Sequence, residues 1–266
     1  MHIQLLIQAL AASVFCYLGG VESPWLLGQI GGYYIVGRPL VAGLILGLIF
    51  GDVQAGVLCG LAVQAIFVAN LNTGGATNSE ITYASYGGIG LALATTKNPA
   101  IAATLSIVIG QTFGLIFYNI KMALYSYWNK KVENAANRGD AKGIALNHFV
   151  YPNITNFLMR AVPVFLLLYF GQGFLTTLTD SMPKVITNIV TVLGGVLPAV
   201  GIGLLMTMVI KKRSALLFLF SGFVLMAFAG LSMIGLAFLA AMIAYLVYIS
   251  YGKSHEAEQT EQDEVI

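Results

Sequence analysis

Between Gln64 and Thr82 the chain gathers carboxamides, hydroxyls and one carboxylate: Gln64, Asn70, Asn72, Thr73, Thr77, Asn78, Ser79 and Glu80, interrupted by Gly74-Gly75. Side-chain amides and carboxylates can donate and accept in pairs to adjacent hydroxyls. A glycine pair marks a break at which freed backbone groups become further ligands. Tyr83 or Tyr86 offers a ring face on which a sugar could stack. This chemistry predicts a site for a hydroxyl-rich solute, with Gln64, Asn72, Thr73 and Glu80 as its first ligands and Asn70 and Asn78 as its second. Read without function, the same stretch is a polar extracytoplasmic loop. Other chemistries find no arrangement: His2, His148 and His255 are not spaced as metal ligands, and neither Cys16 nor Cys59 has a neighbouring base. No serine elbow or phosphate-cradling lysine loop is present. The expectation is therefore no metal, no cofactor and no catalysis by this chain alone.

The elements that position these residues must lie in lipid. Only 9% of residues are Asp, Glu, Lys or Arg, against roughly 25% in soluble domains. Hydrophobic residues make up 58%, and the mean hydropathy is +0.84. These values predict an all-α, polytopic membrane protein in contact with the bilayer. A spanning helix needs about 20 residues. The apolar blocks are Ile3 to Leu18, Leu26 to Val36, Leu40 to Phe50, Ala55 to Val68, Ile89 to Ala94, Ala100 to Phe117, Val162 to Leu178, Val185 to Ile210, Leu216 to Ala229 and Leu231 to Tyr248. Those between Leu26 and Ala94 are too short to cross and read as re-entrant or broken helices beside the spanning ones. Transporters build midplane sites from such discontinuities, and polar backbone at membrane depth survives only inside protein or along a wet cavity.

Charge placement sets the expected topology. Lys121, Lys130, Lys131, Arg138 and Lys142 fall in one polar loop, about 121–160, and Lys211, Lys212 and Arg213 in another. Two apolar blocks separate them, so both share one side, which the positive-inside rule makes cytoplasmic. Within the first segment Leu124, Trp128, Val132 and Ala135-Ala136 recur at helical spacing, and Arg138-Gly139-Asp140 reads as the turn that ends this helix. The basic residues lie between apolar blocks, so the net charge of +2 predicts no nucleic-acid partner. The cysteines read as small buried hydrophobes. The N-terminus reads as a retained helix. A membrane domain at 1–250 is followed by an acidic tail, 251–266, whose composition predicts disorder.

One family shares an ordered set of these residues. Arg38-Pro39-Leu40-Val41-Ala42-Gly43, Gly47, Gly51-Asp52, Gly56, Gly60, Gln64, Asn72, Gly74 and Glu80 resemble the IIC subunit of the mannose/fructose/sorbose family of the bacterial phosphoenolpyruvate:sugar phosphotransferase system. Asn134-Ala135-Ala136, Gly139, His148, Arg160-Ala161-Val162-Pro163, Met182-Pro183, Gly194-Gly195 and the stretch to Met208 extend the resemblance over essentially the whole chain. It implies a permease subunit of the bacterial cytoplasmic (inner) membrane that works in an oligomeric complex with a IID membrane subunit. The complex would carry a hexose or amino sugar inward by an elevator-like motion, and IIB, recharged by IIA, would phosphorylate it. The phosphohistidines of such systems belong to IIA and IIB. Mannose-type members commonly carry Glu where this chain has Gln64, which changes the hydroxyl or amino group favoured there. Two other classes are expected to compete: an ion-coupled secondary transporter using Glu80 or Asp52, and a non-transporting scaffold or receptor that docks through the polar stretch.

Overall fold

A computed structural model describes residues 2–70, 79–181, 184–211 and 215–263. All regular structure among them is helical. The chain divides into two compact units, Met1–Met206 and Thr207–Ile266.

The first unit opens with α1 (His2–Leu18) and a wide, π-type helical stretch, Gln29–Val36. Helix α2 (Pro39–Phe50) starts at Arg38 with proline in its first turn, where a missing N–H costs nothing. It bends away from Gln29–Val36 by 74°, giving the broken helix expected from the short blocks. Gly51 ends α2 at φ +76°, a conformation that favours glycine. Asp52 then caps α3 (Val53–Phe67), its Oδ1 accepting the Ala55 N–H at 3.1 Å.

The spaced glycines quoted for the family have a packing role. A Cβ on Gly43 would lie 2.4 Å from the Gly56 carbonyl oxygen, one on Gly56 would lie 2.5 Å from the Gly47 Cα, and one on Gly60 would lie 3.1 Å from the Gly43 Cα. Two small-xxx-small rows therefore bring α2 and α3 into backbone contact.

Next come α4 (Ile81–Tyr83), a π-type stretch at Ala84–Ile89, and α5 (Gly90–Ala94). Every residue from Ser79 to Leu93 is buried. This short segment, with an apolar block of only six residues, is the centre of the unit. Helices α6 (Pro99–Val108) and α7 (Gly114–Asn137) join through a π-type stretch at Ile109–Phe113 into one helix, Pro99–Asn137. Ser106 Oγ donates to the Ala84 carbonyl at 2.8 Å. A Cβ on Gly88 would meet Ser106 Oγ at 2.2 Å, so glycine is what allows this approach.

The turn expected at Arg138-Gly139-Asp140 is present. Gly139 has φ +66° and Asp140 Oδ1 accepts the Gly143 N–H at 2.9 Å, starting α8 (Ala141–Ala145). A π-type stretch at Leu146–Val150 leads into α9 (Tyr151–Ser181). The segment 121–160, read from its charges as a loop, is thus helical on both sides of this turn. Its two ends, Lys121 and Arg160, lie within helices and are buried. Topology by positive charge then rests on Lys130, Lys131, Arg138 and Lys142 in this segment. Pro99–Asn137 and Ala141–Gly173 are long and apolar enough to cross a bilayer, and the bent pair at Gln29–Phe50 makes a third crossing if taken as one span.

Helix α10 (Lys184–Val209) reaches the end of α3, where a Cβ on Gly201 would lie 2.2 Å from the Ala65 carbonyl oxygen. The second unit holds α11 (Ala215–Ala227) and α12 (Met233–Asp263), joined through Gly230 at φ +65°. The two helices face each other across an apolar groove of about 510 Å³. The acidic segment 251–266 enters α12 as far as Asp263.

Candidate functional site

Gln64 lies one turn before the end of α3. Its Oε1 is closed off from solvent and has no hydrogen-bond partner among the described residues. Buried polar atoms are almost always paired, and leaving one unpaired costs about 1–3 kcal/mol. The oxygen is therefore an acceptor still available to a ligand. It sits where α3 hands over to the polar stretch, and Gly201 allows α10 to close against the same helix end.

The polar stretch is pinned at both ends. Asn70 Nδ2 donates to Ser79 Oγ at 2.6 Å, and the Glu80 N–H bonds the Gly110 carbonyl at 3.0 Å. Asn72, Thr73 and Asn78 fall in 71–78, outside the described residues. Of the predicted ligands the structure thus places Gln64 and Asn70 at the entrance to this stretch and Glu80 at its exit.

Glu80 has protein partners. Its carboxylate accepts from Arg160 and from the Thr82 N–H, the latter at 3.4 Å, so it caps α4 and closes an ion pair at once. Arg160 continues the chain of charges: its Nη2 also reaches Glu22 Oε2 at 3.2 Å, and Lys121 Nζ meets the same oxygen at 2.7 Å. Arg160 is fully buried and Lys121 is 2% exposed. Two carboxylates and two cations give a cluster with no net charge, the condition under which burial is tolerable. Asn156 Oδ1 accepts from Arg160 Nε at 3.2 Å, and Gly20 leaves the space for the guanidinium. The Tyr83 ring lies 5.6 Å from the guanidinium carbon, within cation–π range.

Sequence reasoning missed this cluster. Glu22 was not singled out, and Lys121 and Arg160 were assigned to a loop. The signal available was position, since each cation stands within four residues of an apolar block.

Asp52 also has partners, Lys97 Nζ at 2.8 Å and the Ala55 N–H. The Lys97 ammonium, aided by that N–H, holds its carboxyl below the usual carboxylate range. Cys16 and Cys59 are buried and unbridged, as expected. Among the described residues no group of three His, Cys, Asp or Glu side chains could hold a metal ion.

Comparison with known proteins bears on this arrangement. The family model described as the sorbose-specific IIC component of the phosphotransferase system matches residues 6–246. The chain is 26% identical to N-acetylgalactosamine permease IIC component 1 of Escherichia coli K12, over 97% of this chain and 94% of that protein. It is 25% identical to the mannose-specific EIIC component of the same organism, over 79% and 78% of the two chains. It is 26% identical to the sorbose-specific EIIC component of Lacticaseibacillus casei, over 80% and 76%. A solved structure titled only as a membrane protein aligns over 92% of this chain and 95% of its own, with TM-score 0.75 and 22% identity. The mannose transporter ManYZ in complex with microcin E492 aligns over 94% and 96%, with TM-score 0.51 and 21% identity. These two establish likeness of fold. The matched family model covers the glycine-packed hairpin, the pinned polar stretch and the buried charges together, and the chain belongs to the family of sorbose-specific IIC components of the phosphotransferase system.

Proposed function

We propose that this protein is the sugar-translocating IIC subunit of a mannose-family phosphotransferase system in the bacterial cytoplasmic membrane. It binds a hexose or amino sugar and, with a IID membrane subunit, delivers it for phosphorylation by IIB. The observation that carries the binding site is the unpartnered, buried Oε1 of Gln64. In this reading a sugar hydroxyl or acetamido N–H donates to that oxygen, and the Gln64 amide nitrogen donates to a neighbouring hydroxyl. Asn70, Asn72, Thr73 and Asn78 supply further contacts from the polar stretch. Glu80 supports the site through Arg160 and the start of α4 in place of the direct contact expected from its type.

The chain itself moves no phosphoryl group. Its role is to hold the sugar out of water and present it to IIB, while IIA and IIB carry the phosphohistidines. An ion-coupled mechanism is disfavoured because its two candidate coupling carboxylates are committed, Glu80 to Arg160 and Asp52 to Lys97.

Uptake by proteoliposomes holding the full chain and its IID partner tests the reading. Uptake of N-acetylgalactosamine, mannose, fructose or sorbose should require phosphoenolpyruvate, the soluble phosphocarriers and the partner. Equal uptake driven by a proton or sodium gradient alone would contradict it.

A further inference from the structure

A cleft of about 310 Å³ opens beside Glu22, with Tyr125, Asn129, His148, Phe149 and Asn153 among its walls. Small-molecule sites occupy about 300–1,000 Å³. Of the four clustered charges Glu22 is the one that lines this cleft. Its side chain is 23% exposed, whereas Glu80 is 7% exposed and Arg160 fully buried. Both cations bond Glu22 at Oε2.

Three buried polar atoms without partners belong to residues next to or one turn from lining residues in the chain, or bonded to Glu22. Ser23 Oγ sits between the lining residues Glu22 and Pro24. Asn156 Nδ2 is one turn along α9 from the lining Asn153, and Arg160 Nη1 belongs to the side chain that bonds Glu22. None of the three residues lines the cleft, and the three atoms are closed off from solvent, so they form a layer behind its wall and the case for a ligand rests on the lining itself.

The lining decides which ligand. It offers one carboxylate, two carboxamides, a phenol and an imidazole, and no lysine or arginine faces it. Both nearby cations bond Glu22, and the one guanidinium nitrogen left over, Arg160 Nη1, is closed off from solvent. An anion would meet a carboxylate with no free counter-charge, whereas a neutral polyol finds both donors and acceptors. Asn153 forms part of the wall, its Oδ1 accepting from Tyr17 at 3.3 Å and its Nδ2 donating to the Phe149 carbonyl at 2.8 Å.

We propose that this cleft is a second sugar subsite, distinct from Gln64, for a neutral hexose or N-acetylhexosamine. A sugar hydroxyl donates to Glu22, Asn129 and His148 bond the remaining hydroxyls, and the Phe149 ring covers the C–H face. Asn129 lies about 14 Å along α7 from the turn at Arg138. The subsite therefore sits toward the end of the molecule that carries Lys130, Lys131, Arg138 and Lys142. It holds the sugar on the side where the phosphorylating partner works, and its carboxylate disfavours the anionic product. The proposal rests on the sugar-transport reading.

Equilibrium binding of radiolabelled N-acetylgalactosamine, mannose, fructose and sorbose to the full chain in complex with its IID partner tests it. The comparison is wild type, Gln64→Ala, and the double variant Asn129→Ala/His148→Ala, whose altered side chains are exposed and outside the charge cluster. Wild type should bind two equivalents of the preferred sugar, and the double variant should weaken one of them at least tenfold while the complex elutes unchanged on gel filtration. One equivalent lost in Gln64→Ala and unaltered in the double variant overturns the second subsite and leaves the transport reading standing. No binding of any of the four sugars by wild type overturns both. If the double variant fails to assemble, the same titration is read on Asn129→Asp, which adds a second carboxylate to the cleft. Unchanged binding of both equivalents there likewise overturns the proposal.

Discussion

Two regions of the first unit bury polar atoms, and they treat them in opposite ways. Around Arg160, four charges contributed by the turn after α1, the start of α4, α7 and α9 neutralise one another. At the end of α3, a single carboxamide oxygen is buried with no partner among the described residues. A buried charge cluster that balances needs no ligand, and its partners come from parts of the chain 80 to 138 residues apart, so it fixes how these elements meet. An unpaired neutral acceptor fixes nothing, and a hydroxyl-bearing ligand satisfies it. In the proposed reading the cluster is architecture and Gln64 is recognition. The cluster keeps two unpaired donors of its own, Asn156 Nδ2 and Arg160 Nη1, although its charges balance.

The largest effect should follow from breaking the cluster. Arg160→Met leaves Glu80 buried and unpaired, and losing one partner of a buried pair costs about 3–5 kcal/mol. The full chain should lose its monodisperse peak in fluorescence-detected size exclusion. Arg160→Met/Glu80→Gln removes the uncompensated charge and should recover most of it. If single and double variants behave alike, the pairing is not what holds these helices together.

Packing of the glycine hairpin comes next. At Gly56 a Cβ would sit 2.4 Å from the Gly43 carbonyl oxygen, a backbone atom that cannot swing aside. Gly56→Ala should cost about 1–3 kcal/mol through overpacking and lower the thermal midpoint of the purified protein. Gly203→Ala, with no described atom within 4 Å of the added Cβ, should not lower that midpoint. A larger fall for Gly203→Ala would sink the packing account.

The smallest effect belongs to the exposed counterpart of the cluster, Asp52 with Lys97. Solvent screens such pairs, and most contribute little. Because the folded carboxyl titrates below its ordinary range, the stability it adds is present above the unfolded carboxylate pKa. It is lost as pH falls through the lowered folded value. Asp52→Asn should lower the melting temperature slightly at pH 7 and flatten its decline in acid. An unchanged acid profile would show that the pair is electrostatically silent.

Much of the fold is readable from particular residues. Arg38-Pro39 marks the break before α2, Gly51-Asp52 the end of one helix and the cap of the next, and Arg138-Gly139-Asp140 the turn between the long helices. These are local signals, set by φ preference and capping chemistry. The central segment at Ile81–Ala94 is harder to read, because its six-residue apolar block is too short to announce a core. What buries it is small residues elsewhere, such as Ser106 and Gly110. The charge cluster is harder still. Lys121 and Arg160 border apolar blocks, a pattern shared by interfacial lysines and by buried ones. The distinction lies in Glu22 and Glu80, tens of residues away and named by no spacing rule. Gln64 stands out in the sequence as a carboxamide within an apolar run, and what the structure adds is the burial of its unpaired oxygen. Glu80 was legible as important, but the partner that fixes its role lies on a different helix.

The central claim is that Gln64 is the acceptor a sugar satisfies. The most direct measurement is the binding of N-acetylgalactosamine, mannose, fructose and sorbose to purified complexes of wild type, Gln64→Ala and Gln64→Glu, with assembly checked by gel filtration. Gln64→Ala should lose about 1–3 kcal/mol of binding at this site. Gln64→Glu, which removes two donors and adds a charge, should reorder the preference among the four sugars. If both variants assemble and bind all four as wild type does, Gln64 is not a sugar ligand and the site lies elsewhere.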